Sequence, residues 1–587
     1  MSGTGLILRA DLSRGTTREE RIDPSINARF VGGRGLGAKI VSDETDPRSD
    51  PLAPERRIVF AAGPLSGTGA PTSGRFSASF KSPLTGLLTD SNCGGFFGPW
   101  IKMAGYDAIV LQGRAEAPSY LVVSDEGSDI LGAQDLWGEL TGETNRILEE
   151  RHQGKVACIG PAGERSALIS NVIVNGRRAL GRGGLGAVMG SKNLKAVVVS
   201  GKRRVEVEDE GRFGDAVDRA RSLINRKLAG GWGLASSGTA SILGPLNVSG
   251  ILPVKNFQAS QWPSERAEEV DGERLRQDIF SGRQGCATCP VVCGHWAKLP
   301  GGETVKGPEF ETLWSFGPNL DCSDLLTIVR AGDLCDQYGL DSISTGSTMA
   351  AAAELLDRGM IQGVCGWNDP ARILDTIKKI GEVEDEGEEL AAGARRLCRG
   401  RGVPEASMDC HGLELPAYDP RGVQGMGLAY ATSNRGGCHM RAYTVLSELS
   451  GRAERFSTEG KAELVMRMQD ETAFVDSLVL CRFVQPLLGE KIPCDLYNGA
   501  EGSDIGPEEL LEIGGRIFNL ERLFNLGAGI SEETLPRRLL EEGVADGPSK
   551  GRVVSLDEML VEYRRLRGWT REGEIRDETM RRYGLSP

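Results

Sequence analysis

No run of eighteen apolar residues occurs in this chain of 587, so the sequence offers no membrane-spanning helix. The opening MSGTGLILRADLSRG has no basic segment followed by an apolar one. No secretory signal is therefore expected, and the protein is placed in the cytoplasm. Aromatic residues are sparse at 6%. Basic residues are outnumbered, giving a net charge of −13 and a pI near 5.2. That balance excludes nucleic acid and anionic membranes as natural partners. The phosphate-binding pattern G-x-x-x-x-G-K-[ST] is missing, so a P-loop is excluded.

What the chain has is glycine, 80 residues without a collagen-like period, and 13 cysteines. Glycine at this level implies many tight turns or close backbone approaches. In a large chain with no secretory signal, the cysteines read as metal ligands and buried thiols, not a disulfide framework. The length predicts two to four domains. Short β-like runs punctuated by turn residues fill the first 200 positions (RIVFAAGPLSG, AIVLQGR, SYLVVSD, KVACIG, LKAVVVSG). After the polar bridge GKRRVEVEDEGRF, helical periodicity dominates to the end, closing with LDEMLVEYRRLRGW. The expected class is α+β: a β-rich domain over 1–205, then two mostly helical domains over 206–415 and 416–587. The Pro/Gly-bearing stretch 411–427 marks the second boundary.

GCATCPVVC places Cys286, Cys289 and Cys293 in a C-x2-C-x3-C spacing. Three readings remain open on spacing. A [4Fe–4S] cluster needs a fourth, remote thiolate, for which Cys438, Cys481 and Cys494 are all available. A zinc site would add His295. The third reading is buried thiols, as for Cys158, Cys335, Cys365 and Cys398.

Gly-rich segments at 32–37 (GGRGLG), 92–98 (NCGGFFG) and 181–186 (GRGGLG) lie near Arg34, Arg75 and Arg182. Glycine with arginine suits an anionic, phosphate-bearing ligand. No long helix follows the G-x-G-x-x-G at 181, which argues against a dinucleotide fold. A weak echo links DQYGLD at 336–341 with DSLVLC at 476–481, each after a helical stretch.

These blocks, together with GPLSGTGAPTSGRFSASFKSPLTG, GPEFETLWSFGPN and DPRGVQGMGLAYATSNRGGCH, give the chain an end-to-end resemblance to the tungsten-containing aldehyde:ferredoxin oxidoreductases. The resemblance implies tungsten held by two pterin dithiolenes (a tungsten bis-pyranopterin, or tungstopterin) beside a [4Fe–4S] cluster. It makes Cys286, Cys289, Cys293 and Cys481 the cluster ligands. It makes the echo a pair of pterin clamps: Asp336 to Asp341, and Asp476 through Leu480 to Cys481. In the second clamp Val479 replaces the family glycine, so a different local turn is expected there. By the same resemblance Arg75, Asn92, Gly94, Arg182 and Gly183 hold pterin phosphates bridged by Mg2+, and Arg441 contacts a pterin.

The implied reaction takes R–CHO and water to R–COOH, passing electrons through the cluster to ferredoxin or a partner Fe–S subunit, with a homo- or hetero-oligomer in view. Glu311 is expected as general base and His439 as hydrogen-bond donor, with Glu309 a rival base. The only E-x-x-H, Glu149 to His152, sits in the β-rich part, so no iron shared between subunits is expected. Two alternatives stand. One is the catalytic subunit of a tungsten-dependent benzoyl-CoA reductase, with Cys322 as a metal ligand. The other is a non-catalytic Fe–S or zinc binding module.

Overall fold

The β-like runs at the N-terminus become two six-stranded sheets in the computed structural model, which describes residues 3–586. The strands in chain order are β1 (Leu6–Asp11), β2 (Thr16–Arg21), β3 (Ile58–Ala61), β4 (Phe76–Lys81), β5 (Leu88–Cys93), β6 (Ala108–Gln112), β7 (Ser119–Val123), β8 (Ser128–Gly132), β9 (Lys155–Cys158), β10 (Val172–Val174), β11 (Arg178–Leu180) and β12 (Leu194–Val199). The sheet orders are β2-β1-β6-β3-β4-β5 and β11-β10-β9-β12-β7-β8. Pairing is antiparallel except for β1–β6 and β7–β12. Strands such as β4 (FSASFK) and β12 (LKAVVV) are buried at every residue, so their sequences do not alternate. One apolar cluster joins the two sheets: Phe60, Phe76 and Phe97 on one side, Leu121, Val123 and Val172 on the other.

From Glu210 onward helices predominate, as the periodicity predicts. Two helix ends matter for the site. Helix Leu325–Tyr338 is capped by Asp324 and stops at Gly339, whose φ of +73° closes the last turn. Asp341 then caps the next helix, Ser342–Asp357, by accepting from Ile343 N at 3.2 Å. The first clamp sequence is thus the corner between two helices. The second repeats the device: helix Lys461–Leu478 stops at Val479, φ +62°, just before Cys481. The expectation of a different turn fails, because Val479 adopts the same left-handed conformation as Gly339. That costs about 1–2 kcal/mol for a residue with a Cβ. Full burial of the Val479 side chain offsets it.

Both corners rest on glycines of the β-rich part. A Cβ on Gly160 would lie 2.3 Å from the Tyr338 carbonyl, and one on Gly33 would lie 2.6 Å from the Asp476 carbonyl. So GGRGLG seats a helix corner and not a phosphate. Its Arg34 is fully buried and donates twice to Glu521, at 2.7 Å each. The stretch 412–427 is buried throughout, so its Pro/Gly content bends the chain through the interior. Among the described residues no helix is long and apolar enough to cross a membrane.

Candidate active site

A cavity of about 1130 Å³ lies where the two helix corners meet the β-rich part. Its wall includes all four predicted cluster cysteines, Cys286, Cys289, Cys293 and Cys481. The loop carrying the first three is fitted tightly to the β-rich part. A Cβ on Gly94 would stand 2.7 Å from Cys286 Sγ, and one on Gly74 would stand 2.7 Å from Ala287 N. Gly94→Ala should therefore displace the Cys286 sulfur and lower whatever metal the four thiols bind by at least half, as read by metal analysis of the purified protein. Wild-type metal content in that variant would reject the contact.

Two half-buried guanidiniums face the thiols. Arg75 binds Asn92 through its carbonyl and side-chain oxygens and lies within electrostatic reach of Cys481 and Cys286. Arg178 stands beside Cys286 and Cys293 and pairs with Glu309 at 3.2 Å. Burial pushes the Cys289 thiol up to about 11 and Cys293 higher still. Among the described residues no three His, Cys, Asp or Glu side chains could hold a single metal ion. Zinc, with bonds of about 2.3 Å, needs sulfurs roughly 4 Å apart. A four-iron cluster holds its thiolates at separate corners, and all four thiols share this one cavity wall.

The cavity also receives Glu311 and His439, from the helix Phe310–Phe316 and the loop 432–444. Glu311 Oε2 accepts from Ala417 N at 3.1 Å. Its Oε1 lies 3.5 Å from His439 Nε2. The rings of Tyr418 and Tyr443 flank the imidazole at 5.3 and 6.3 Å. Burial in this collar pushes the Glu311 carboxyl up to about 8 and the His439 imidazole down to about 3. Both shifts favour the uncharged forms. Glu309, the rival base, is committed elsewhere: burial opposes its ionisation, but Arg178 and Lys306 hold its carboxyl below the usual range.

The remaining predicted residues divide in two. Arg75, Asn92, Gly94, Arg182, Asp336 and Asp341 line the cavity. Asp336 is paired with Lys306 at 3.0 Å, and Asp341 accepts from Ser344 at 2.7 Å and from Arg182 at 3.3 Å. Gly183, Arg441, Asp476 and Leu480 lie behind the wall. Asp476 accepts from Arg441 at 2.9 Å, and Leu480 is core. Cys322 lies in the core and away from the cavity, so it is no ligand there. Sequence reasoning missed Lys306, Arg178, Tyr418, Tyr443 and Arg482. None carries a spacing signal, although Lys306 and Tyr418 fall beside GPEFETLW and DPRGVQG.

Several buried polar atoms on this wall have no partner: Asn92 Nδ2, Arg178 Nη2, Arg482 Nη1, Glu311 Oε1 and His439 Nδ1. Buried donors and acceptors are seldom left unmade, so the wall suits a large, polar, anionic occupant. The four thiols and this wall fit a cluster beside a phosphate-bearing cofactor.

Two family models match the chain: "Aldehyde ferredoxin oxidoreductase, N-terminal domain" over residues 7–201, and "Aldehyde ferredoxin oxidoreductase, domains 2 & 3" over residues 215–585. The tungsten-containing aldehyde ferredoxin oxidoreductase of Pyrococcus furiosus is 42% identical over 99% of both chains. That of Pyrococcus abyssi is 43% identical over 99% of this chain and 98% of its own. The aliphatic sulfonate oxidoreductase, WOR-like subunit, of Pyrococcus furiosus is 28% identical over 99% and 97%. Among solved structures, the active site complex BamBC of benzoyl coenzyme A reductase with 1,5-dienoyl-CoA aligns with a TM-score of 0.88, 24% identity, and coverage of 100% of this chain and 97% of that one. At that identity it shares the fold.

Proposed function

The chain belongs to the aldehyde ferredoxin oxidoreductase family, and from that we propose that it oxidises aldehydes to carboxylic acids and hands the electrons to ferredoxin or a partner Fe–S subunit. The reading rests most on one juxtaposition: the Glu311–His439 pair beside two tyrosine rings, in the same cavity as four cysteine thiols.

Cys286, Cys289, Cys293 and Cys481 would hold a [4Fe–4S] cluster. Asp336, Asp341, Asp476, Leu480 and Arg441 would hold the two pterins. Arg75, Asn92, Gly94, Arg182 and Gly183 would hold their phosphates and a bridging Mg2+. Tungstopterin bound there supplies a two-electron redox centre that is also a Lewis acid for the carbonyl oxygen, and the cluster relays single electrons. The division at 205 and 415 follows the cofactor halves in this reading, one clamp in each helical part.

In its ionised form, which gains population as the pH rises toward about 8, Glu311 takes on its buried, unpartnered Oε1 the proton that water loses as it adds to the carbonyl carbon. Ala417 N keeps the carboxylate aimed. His439 stays neutral, so its ring offers one N–H donor to the substrate oxygen and does not repel cationic charge from Arg182. Tyr418 and Tyr443 pack beside the imidazole and fix its orientation.

The test is metal analysis of protein purified anaerobically from a host that makes tungstopterin, followed by an aldehyde assay with benzyl viologen. The expected result is about one tungsten and four irons per chain with aldehyde turnover. Zinc alone would return the cysteines to a structural role. Benzoyl-CoA turnover without aldehyde oxidation would move the chain to the reductase branch.

A further inference from the structure

Of the thirteen cysteines, nine are buried, and only Cys286, Cys289, Cys293 and Cys481 are partly exposed. Within their loop Thr288 and Pro290 are exposed outright, so the thiol group reaches solvent at the tip Ala287–Pro290. That tip is tied to its surroundings on both sides. Ala287 N donates to Gly95 O at 3.0 Å, and the next residue, Phe96, is 36% exposed. On the other flank Thr288 O accepts from Thr72 N at 3.3 Å. The loop holding Thr72 presents an exposed Gly69, whose carbonyl accepts from Arg221 Nη2 at 3.2 Å.

An arginine stands on each flank. Arg221 is exposed, and the Arg177 guanidinium lies 5.2 Å over the ring of Trp296, beside Phe96 in a second cleft. Neither makes a salt bridge within 4.0 Å among the described residues, although Glu149 lies in the same cleft as Arg177. In a chain of net charge −13, an apolar tip flanked by two guanidiniums outside any salt bridge carries local positive charge. Such a patch attracts an acidic partner that the rest of the surface repels. Transient redox encounters need only a small interface, which a tip of this size can supply.

We propose that a small acidic ferredoxin docks on the Ala287–Pro290 tip, with Phe96 and Pro290 as the apolar centre and Arg177 and Arg221 as the flanking charges. This rests on the aldehyde-oxidation reading. Each R–CHO plus H2O gives R–COOH, two protons and two electrons. Two oxidised ferredoxins take one electron each at this tip, in successive encounters, and leave reduced. Arg177 and Arg221 stand outside the cavity wall, so docking and chemistry are separable by mutation.

The experiment uses the loaded enzyme carrying Arg177→Glu and Arg221→Glu together. Binding of an oxidised, acidic [4Fe–4S] ferredoxin is measured directly by calorimetry at low and high salt. Turnover is measured with ferredoxin and, separately, with benzyl viologen. The expected result is a Kd weakened about tenfold at low salt and a flattened salt dependence. The viologen rate and iron content should stay within about twofold of wild type, and the Arg177→Lys, Arg221→Lys pair should bind as wild type does. Unchanged ferredoxin affinity in the double Glu variant would overturn the docking face, as would loss of binding in the charge-preserving pair. Absence of viologen-linked aldehyde oxidation in the wild type would strike the functional reading alone, because ferredoxin binding is read independently of turnover.

Discussion

Glu311→Gln is expected to cut aldehyde turnover about a thousandfold while tungsten and iron contents stay at wild-type levels. The amide keeps the shape of the carboxyl and still accepts from Ala417 N, so the local fold is preserved. It has no basic oxygen to take a proton at neutral pH. Glu311 holds no proposed cofactor contact, so loss of tungsten in the variant would reject its assignment as base. The pH profile is a second check. Burial raises the carboxyl from an ordinary 4.5 to about 8, and a base works when deprotonated. Wild-type kcat/KM should therefore rise with pH and level off above about 8, and a falling limb there would make Glu311 an acid. Stability runs the other way. The native carboxyl binds its proton more tightly than the unfolded one, so its contribution is complete below 4.5 and lost as the pH rises through about 8. The Gln variant should lack that loss.

Arg34→Met is expected to lower stability by about 3–5 kcal/mol, read as a drop in the melting temperature of the purified protein. Arg34 is the hub of a buried charge network. It pairs with Glu521 at 2.7 Å and lies 3.5 Å from Asp90 and 3.6 Å from Asp476. Arg441 closes the network by pairing with Asp90 at 2.5 Å and Asp476 at 2.9 Å. Removing one cation strands Glu521, a buried carboxylate, without its bidentate partner. The paired variant Arg34→Met, Glu521→Met should recover most of the loss, since an apolar pair leaves no orphaned charge. No recovery would mean that the helix corner at Asp476 depends on the arginine itself.

Much of this was legible in the sequence for physical reasons. Strands such as LKAVVV are apolar because both faces are covered, and helix ends announce themselves through Asp324, Gly339 and Asp341. The cysteine spacing left zinc and Fe–S open. The structure adds that all four thiols line one cavity. Arg34 could not be read correctly. A glycine-arginine loop looks the same whether its cation meets a phosphate or, as here, a glutamate almost five hundred residues away. Val479 misled for a related reason: sequence shows the Cβ that a left-handed turn disfavours, but not the burial that offsets it. The aromatic collar was likewise invisible, because Tyr418 and Tyr443 meet His439 only after the chain has bent through its buried stretch.

The thiol group draws three members from one short loop and the fourth from Cys481, in the last fifth of the chain. On a ribosome adding roughly 5–20 residues per second, Cys481 is made on the order of ten to forty seconds after Cys293. During that interval the nascent chain carries an incomplete three-thiol loop, open to oxidation or to stray metal. The Glu521 that anchors Arg34 is made later still. A site built from all four thiols can thus be filled only after Cys481 has been made. The yield of active enzyme should depend on how long the unfinished loop is shielded, as well as on cofactor supply.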